Sequence, residues 1–245
     1  MKKTNYLLLG CISFLLAGTP PARAQAPDEL QAFQQAAGDR SALFRGRQAV
    51  RYTFQVNGNP YWYFPDFERG DILCEGNFYR DVPINIDARE QRALVQLSSG
   101  VFAVALSPAQ APSFTMGKRR FIGAGPGEAL PEGFYEVFGN GPEHVYKHVA
   151  KYLNSSVANM NGDPIGYYDP DYQSHILRYF ALRVTYYLPD ADGNISRVKG
   201  RGALLRKFPG RRKEIRQALQ AAGMDRSSIP FDSYCEAVLN SASAR

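Results

Sequence analysis

The chain has 245 residues, 44% of them hydrophobic and 21% charged, with a formal charge of +6, so it holds enough apolar material for a core and too little charge for wholesale disorder. Its 22 Gly, 16 Pro, 15 Tyr and 15 Phe suit a turn-rich protein built on strands, because Gly and Pro punctuate chains while Tyr and Phe fit pleated surfaces. Coiled coil, collagen and a multi-span membrane protein are excluded.

Residues 1–24 follow the order of a secretory signal: Lys2 and Lys3, an apolar run over 6–18, Pro20 and Pro21, then the small-residue site Ala22-Arg23-Ala24. The apolar run is shorter than the ~20 residues that span a bilayer as a permanent helix, and no later segment approaches that length. A soluble exported protein starting at Gln25, periplasmic or secreted, is the expectation. Leu8-Leu9-Gly10-Cys11 also has the form of a lipidation box, but cleavage before Cys11 would strand most of the apolar run in the mature chain. Removal of 1–24 takes away Lys2, Lys3 and Arg23 and leaves 26 basic against 23 acidic residues, a charge of +3.

Residues 25–48 read as a helical or loose leader, with Leu30, Phe33 and Ala37 at helical spacing. Over 49–200 the pattern changes to short strands, expected at 50–56, 71–75, 78–82, 93–97, 101–106, 120–123, 134–138, 144–152, 176–188 and 195–199. Turn residues such as Asn57-Gly58-Asn59-Pro60, Glu75-Gly76-Asn77 and Ser98-Ser99-Gly100 separate them, as in antiparallel hairpins. Residues 201–245 are expected to be helical, with Ile215 and Leu219 on one stripe, Gly223 as a C-cap and Asp232 opening a last helix. The predicted fold is α+β: an antiparallel β-rich body, as a meander, sandwich or partly closed barrel, with C-terminal helices packed on it.

Gly58-Asn59-Pro60-Tyr61, Gly133-Phe134-Tyr135-Glu136-Val137, and above all Ala203-Leu204-Leu205, Lys207-Phe208-Pro209 and Arg211-Arg212-Lys213-Glu214-Ile215 carry a resemblance. The chain resembles a family of uncharacterised secreted proteins of Bacteroidetes-type Gram-negative bacteria. That resemblance implies export and a β-rich body ending in a helical tail, and it implies no activity.

Few constellations carry chemistry. His144 and His148 could share a metal on a helix, but on a strand four residues rise about 13 Å, and the alternation with Val145, Lys147 and Val149 favours a strand. No metal and no cofactor are expected. Asp190-Ala191-Asp192-Gly193-Asn194 begins like a calcium loop, yet position 12 holds Arg201 where a bidentate Glu is needed, so it reads as a hairpin turn. Gly123-Ala124-Gly125-Pro126-Gly127 opens no helix and so reads as a connection, not a phosphate cradle. Asp169, Asp171 and His175 pack two carboxylates and an imidazole into one loop and are the candidate catalytic residues of a hydrolase.

Tyr61, Trp62, Tyr167, Tyr168 and Tyr172 are candidate binding residues, since amphipathic rings serve recognition, although strand alternation would equally bury part of them. Cys74 and Cys235 either bridge the β body to the last helix or stand as two buried thiols. The run 197–216 holds Arg197, Lys199, Arg201, Arg206, Lys207, Arg211, Arg212, Lys213 and Arg216 against Glu214 alone. Export argues against nucleic acid as its partner and leaves weak contact with an anionic surface. The leading expectation is a non-catalytic exported protein of the cell envelope that binds a protein or polymer; the alternative is a periplasmic hydrolase using His175 with Asp169 and Asp171.

Overall fold

A computed structural model describes residues 32, 34, 36–50, 52, 56–139, 143–158, 161, 175–189 and 194–243. The proposed signal, the loop carrying Asp169, Asp171, Tyr167, Tyr168 and Tyr172, and the Asp190-to-Gly193 turn lie outside the described residues.

The described residues form one antiparallel sheet of eleven strands. The strands are β1 (Arg47–Gln48), β2 (Glu68–Cys74), β3 (Asn77–Asp87), β4 (Arg92–Gln96), β5 (Ala103–Leu106), β6 (Ser113–Met116), β7 (Arg119–Ala124), β8 (Gly133–Phe138), β9 (Val145–Ala158), β10 (His175–Pro189) and β11 (Ile195–Val198). Their order, β1-β5-β4-β3-β2-β6-β7-β8-β9-β10-β11, is two meanders joined where β2 meets β6. It is a single sheet with β1 and β11 at its edges, so the sandwich alternative does not apply.

Local chemistry accounts for most hairpins. Between β2 and β3, Glu75 (φ 49°) and Gly76 (φ 79°) both take positive φ, as the two-residue turn matching strand twist requires. A bulge near Asp81 (φ 50°) shifts the β2–β3 register between Gly70 and Ile72, and the Asp81 amide donates to Asp71 Oδ1. β6 was not expected: four residues including Ser113 and Thr115 offer no clear alternation until Phe114 and Met116 find the core. β3 and β9 run further than predicted, to Asp87 and Ala158.

The sheet curls. Gln91 (φ 50°), in the turn between β3 and β4, reaches across to β8 and β9. Its Nε2 donates to the carbonyls of Ala88 and Val149, and its Oε1 accepts from the Phe134 amide and faces His148 Nε2 at 3.1 Å. The Lys151 amide donates to Ala88 O at 3.0 Å. One apolar cluster fills the curl, around Trp62, Ile72, Ile84, Ile86, Val95, Phe114, Phe121, Phe134 and Val149. Asn57-Gly58-Asn59-Pro60 is not a hairpin turn: Asn57 bridges to Tyr179 and Tyr61 to Asp87, so this stretch crosses from β10 to the end of β3.

A second cluster joins Phe138, Val145, Leu188 and Val198 of the sheet to the helices α1 (Arg201–Arg206), α2 (Arg212–Ala221) and α3 (Phe231–Ser243). Ile215 and Leu219 are buried on α2, and Gly223 takes φ 66° two residues after the helix ends. No helix among the described residues is long and apolar enough to cross a membrane.

Candidate functional site

β8, β9 and β10 each place a polar residue in the middle of an inward-facing apolar row. The inward residues are Phe134, Glu136 and Phe138 on β8, then Val145, Lys147 and Val149 on β9, then Val184, Tyr186 and Leu188 on β10. Cross-strand partners share a face, and the register aligns Glu136 with Lys147 and Lys147 with Tyr186. A polar stripe therefore separates the two apolar clusters. Glu136 and Lys147 are 4% and 5% exposed.

Two further elements complete this network. Asp232, in the first turn of α3, accepts from Lys147 Nζ at 2.6 Å through Oδ2 and from the Tyr186 hydroxyl at 2.6 Å through Oδ1. Tyr63 donates its hydroxyl proton to Glu136 Oε2 and accepts from Lys147 Nζ at 3.0 Å. Lys147 Nζ lies 3.7 Å from Glu136 Oε2, so two carboxyls share one ammonium. Arg119, paired with Glu68, stacks its guanidinium 4.6 Å from the centre of the Tyr63 ring.

The titration behaviour follows from this geometry. Burial pushes the Glu136 carboxyl above the usual range, with the Tyr63 hydrogen bond and Lys147 offsetting part of the shift and Asp232 adding to it. Burial also presses Lys147 downward, but its hydrogen bonds to Asp232 and Tyr63 prevail and hold the ammonium above its ordinary value. Tyr63 is pushed up to about 12 by burial and by the adjacent Glu136. A phenol raised in this way is a poor general base at neutral pH. Each polar side chain spends its hydrogen bonds on another member, which is the signature of a buried clamp. Glu136 also lines a cleft of about 260 Å³, together with Lys118, Arg119, Arg120 and Glu236.

A larger cleft lies elsewhere, about 550 Å³, between the short 3-10 turns at Gly38–Arg40 and Ala42–Phe44 and the sheet. Leu43, Phe44, Phe67, Val82 and Leu97 give it an apolar lining. Its carboxylates are engaged: Asp39 accepts from the amide and hydroxyl of Ser98, and Asp81 pairs with Arg69 at 3.6 Å. Gln34 Nε2 donates to Phe78 O and holds the leader against the sheet.

The residues singled out from sequence fall differently. Trp62 is 3% exposed and sits edge-on to Phe121 with ring centres 5.7 Å apart, so it packs in the core. The stretch around it is bent, not a strand, which leaves Phe64 62% exposed while Tyr61 is partly buried. His175 opens β10; its side chain is outside what the structure describes, as are Asp169 and Asp171. Cys74 and Cys235 are free and lie in different apolar clusters, so no bridge ties the body to the last helix.

His148 sits on β9 beside Gln91, and burial lowers its pKa. His144, just ahead of β9, meets the Tyr146 hydroxyl at 2.5 Å. Among the described residues no three His, Cys, Asp or Glu side chains gather closely enough to hold a metal ion. Gly123-Ala124-Gly125-Pro126-Gly127 ends β7 and leads by a loop to β8. In the basic run, Arg201 donates to the Arg226 and Ile229 carbonyls, and Arg211 to those of Ser241 and Ala242 at the end of α3. These two cations cap backbone carbonyls.

The buried network escaped sequence reasoning, yet a signal for it exists: Phe-x-Glu-x-Phe, Val-x-Lys-x-Val and Val-x-Tyr-x-Leu each set a polar residue in an apolar register. No family model, curated protein or solved structure matches the chain.

Proposed function

We propose that this chain is an exported, non-catalytic binding module of the cell envelope, periplasmic or secreted, that recognises a protein or polymer partner. The observation that carries this reading is the 550 Å³ cleft with its apolar lining, because ligand sites are concave and mostly apolar with a few placed polar groups. Its two carboxylates, Asp39 and Asp81, contact Ser98 and Arg69. The leader at 1–24 and the resemblance to secreted proteins with a helical tail support export.

The test is retention of envelope material by the immobilised mature chain, compared with a Phe44→Asp variant of unchanged circular dichroism. Retention by the native cleft and its loss in the variant is the expected result. Equal retention by both overturns the site. Turnover on a broad hydrolase panel that disappears in His175→Ala overturns the non-catalytic reading in favour of the hydrolase.

A further inference from the structure

A second cleft, of about 460 Å³, opens at the other end of the β3–β4 hairpin and shares no lining residue with the first. Its floor follows from register. Arg47 of β1 faces Ala105 of β5, and Ala105 faces Leu94 of β4, so these three form one row on one face. Arg92, two residues before Leu94, lies on that same face, and Arg45 precedes Arg47 by two. All five residues line the cleft.

The wall is held close. A Cβ on Gly46 would fall 2.3 Å from Val104 Cγ1, so only glycine lets this segment lie flush on β5 and present Arg45 and Arg47 on either side.

The charges at this cleft are unequally matched. Glu90 is paired with Arg89 at 3.0 Å. Asp87, 3% exposed, spends Oδ1 on the amides of Arg89 and Glu90, and burial pushes its carboxyl upward, toward the neutral form. Among the described residues Arg45, Arg47 and Arg92 have no ion-pair partner. Three guanidiniums thus face one cavity whose two nearby carboxyls are occupied. Guanidinium presents a planar fork of donors that fits carboxylate and phosphate oxygens in pairs.

We propose that this cleft is a second ligand site, which binds a small molecule bearing a carboxylate or phosphate group gripped by Arg45, Arg47 and Arg92. The volume lies within the ~300–1,000 Å³ range of small-molecule pockets, and Leu94 and Ala105 offer an apolar floor for the rest of the ligand. The proposal stands apart from the function assigned to the first cleft.

Calorimetric titration of the mature chain with glucose 6-phosphate, glucuronate and neutral glucose tests it. Binding of at least one of the two anions, with glucose inert, is expected; the stronger anion assigns phosphate or carboxylate as the natural group. Arg47→Gln and Arg92→Gln should each weaken that binding by roughly tenfold or more, with thermal melts unchanged. Raised salt should weaken it as well. Failure of both anions to bind at millimolar concentration, equal binding of glucose, or indifference to both arginine substitutions overturns the proposal.

Discussion

Lys147 of strand β9 and Asp232 of helix α3 meet at 2.6 Å, 85 positions apart in sequence, and this contact fastens the C-terminal helix to the sheet. The ammonium is 6% exposed as a side chain, so it is well shielded from water, and Tyr63 and Tyr186 complete the coordination of the pair.

Removing one partner of a buried pair leaves the other charge uncompensated, which costs about 3–5 kcal/mol. Lys147→Ala should therefore destabilise the fold by that order in urea denaturation. Lys147→Met combined with Glu136→Gln and Asp232→Asn removes the charges together and should recover much of the loss. A triple variant no more stable than Lys147→Ala alone would contradict the clamp.

Glu136 gives stability an unusual pH slope. Its folded pKa is raised by burial, so the folded state binds the proton more tightly than the unfolded chain does. The contribution is fully present below the ordinary carboxylate pKa of about 4.3 and is lost as pH rises through the raised folded value. Glu136→Gln mimics the protonated form. The stability of the native chain relative to this variant should fall as pH rises through that window; a flat or rising difference would refute the assignment.

Trp62, the sole tryptophan, reports on the core. Its emission should be blue-shifted in the native protein and move to the red on unfolding. Trp62→Ala should cost about 3–5 kcal/mol and Trp62→Phe clearly less, since Phe retains part of the contact with Phe121. A solvent-exposed emission maximum before denaturation would return Trp62 to the surface.

The thiols offer an independent check on helix docking. Burial raises Cys74 to about 11 and drives Cys235 higher still; the thiolate is the reactive species. A chain lacking residues 1–24 should show no fast-reacting thiol when folded and two free thiols in denaturant. A single mixed product lacking free thiols in denaturant would restore the bridge.

Much of this architecture was written locally. Glu75-Gly76 requires a tight turn, and alternation over 134–138 and 145–149 requires strands. The Ile215 and Leu219 stripe requires an amphipathic α2. Such signals lie within a few residues of each other, so sequence alone determined an antiparallel β-rich body with a helical tail. Weak local signals failed: Ser113–Met116 is too short to display a period, and the bend at Trp62 mimics strand alternation.

Only the tertiary structure decided what meets what. Whether β2 turns to β6, whether Lys147 finds Asp232, and whether Cys74 shares a cluster with Cys235 depend on register and curvature summed over many strands. Gln91 illustrates the point: nothing near it in sequence indicates that its amide will join β3, β8 and β9. Backbone pattern is a short-range property of the chain. The placing of a lone charge between two apolar clusters is fixed only when distant strands close around it.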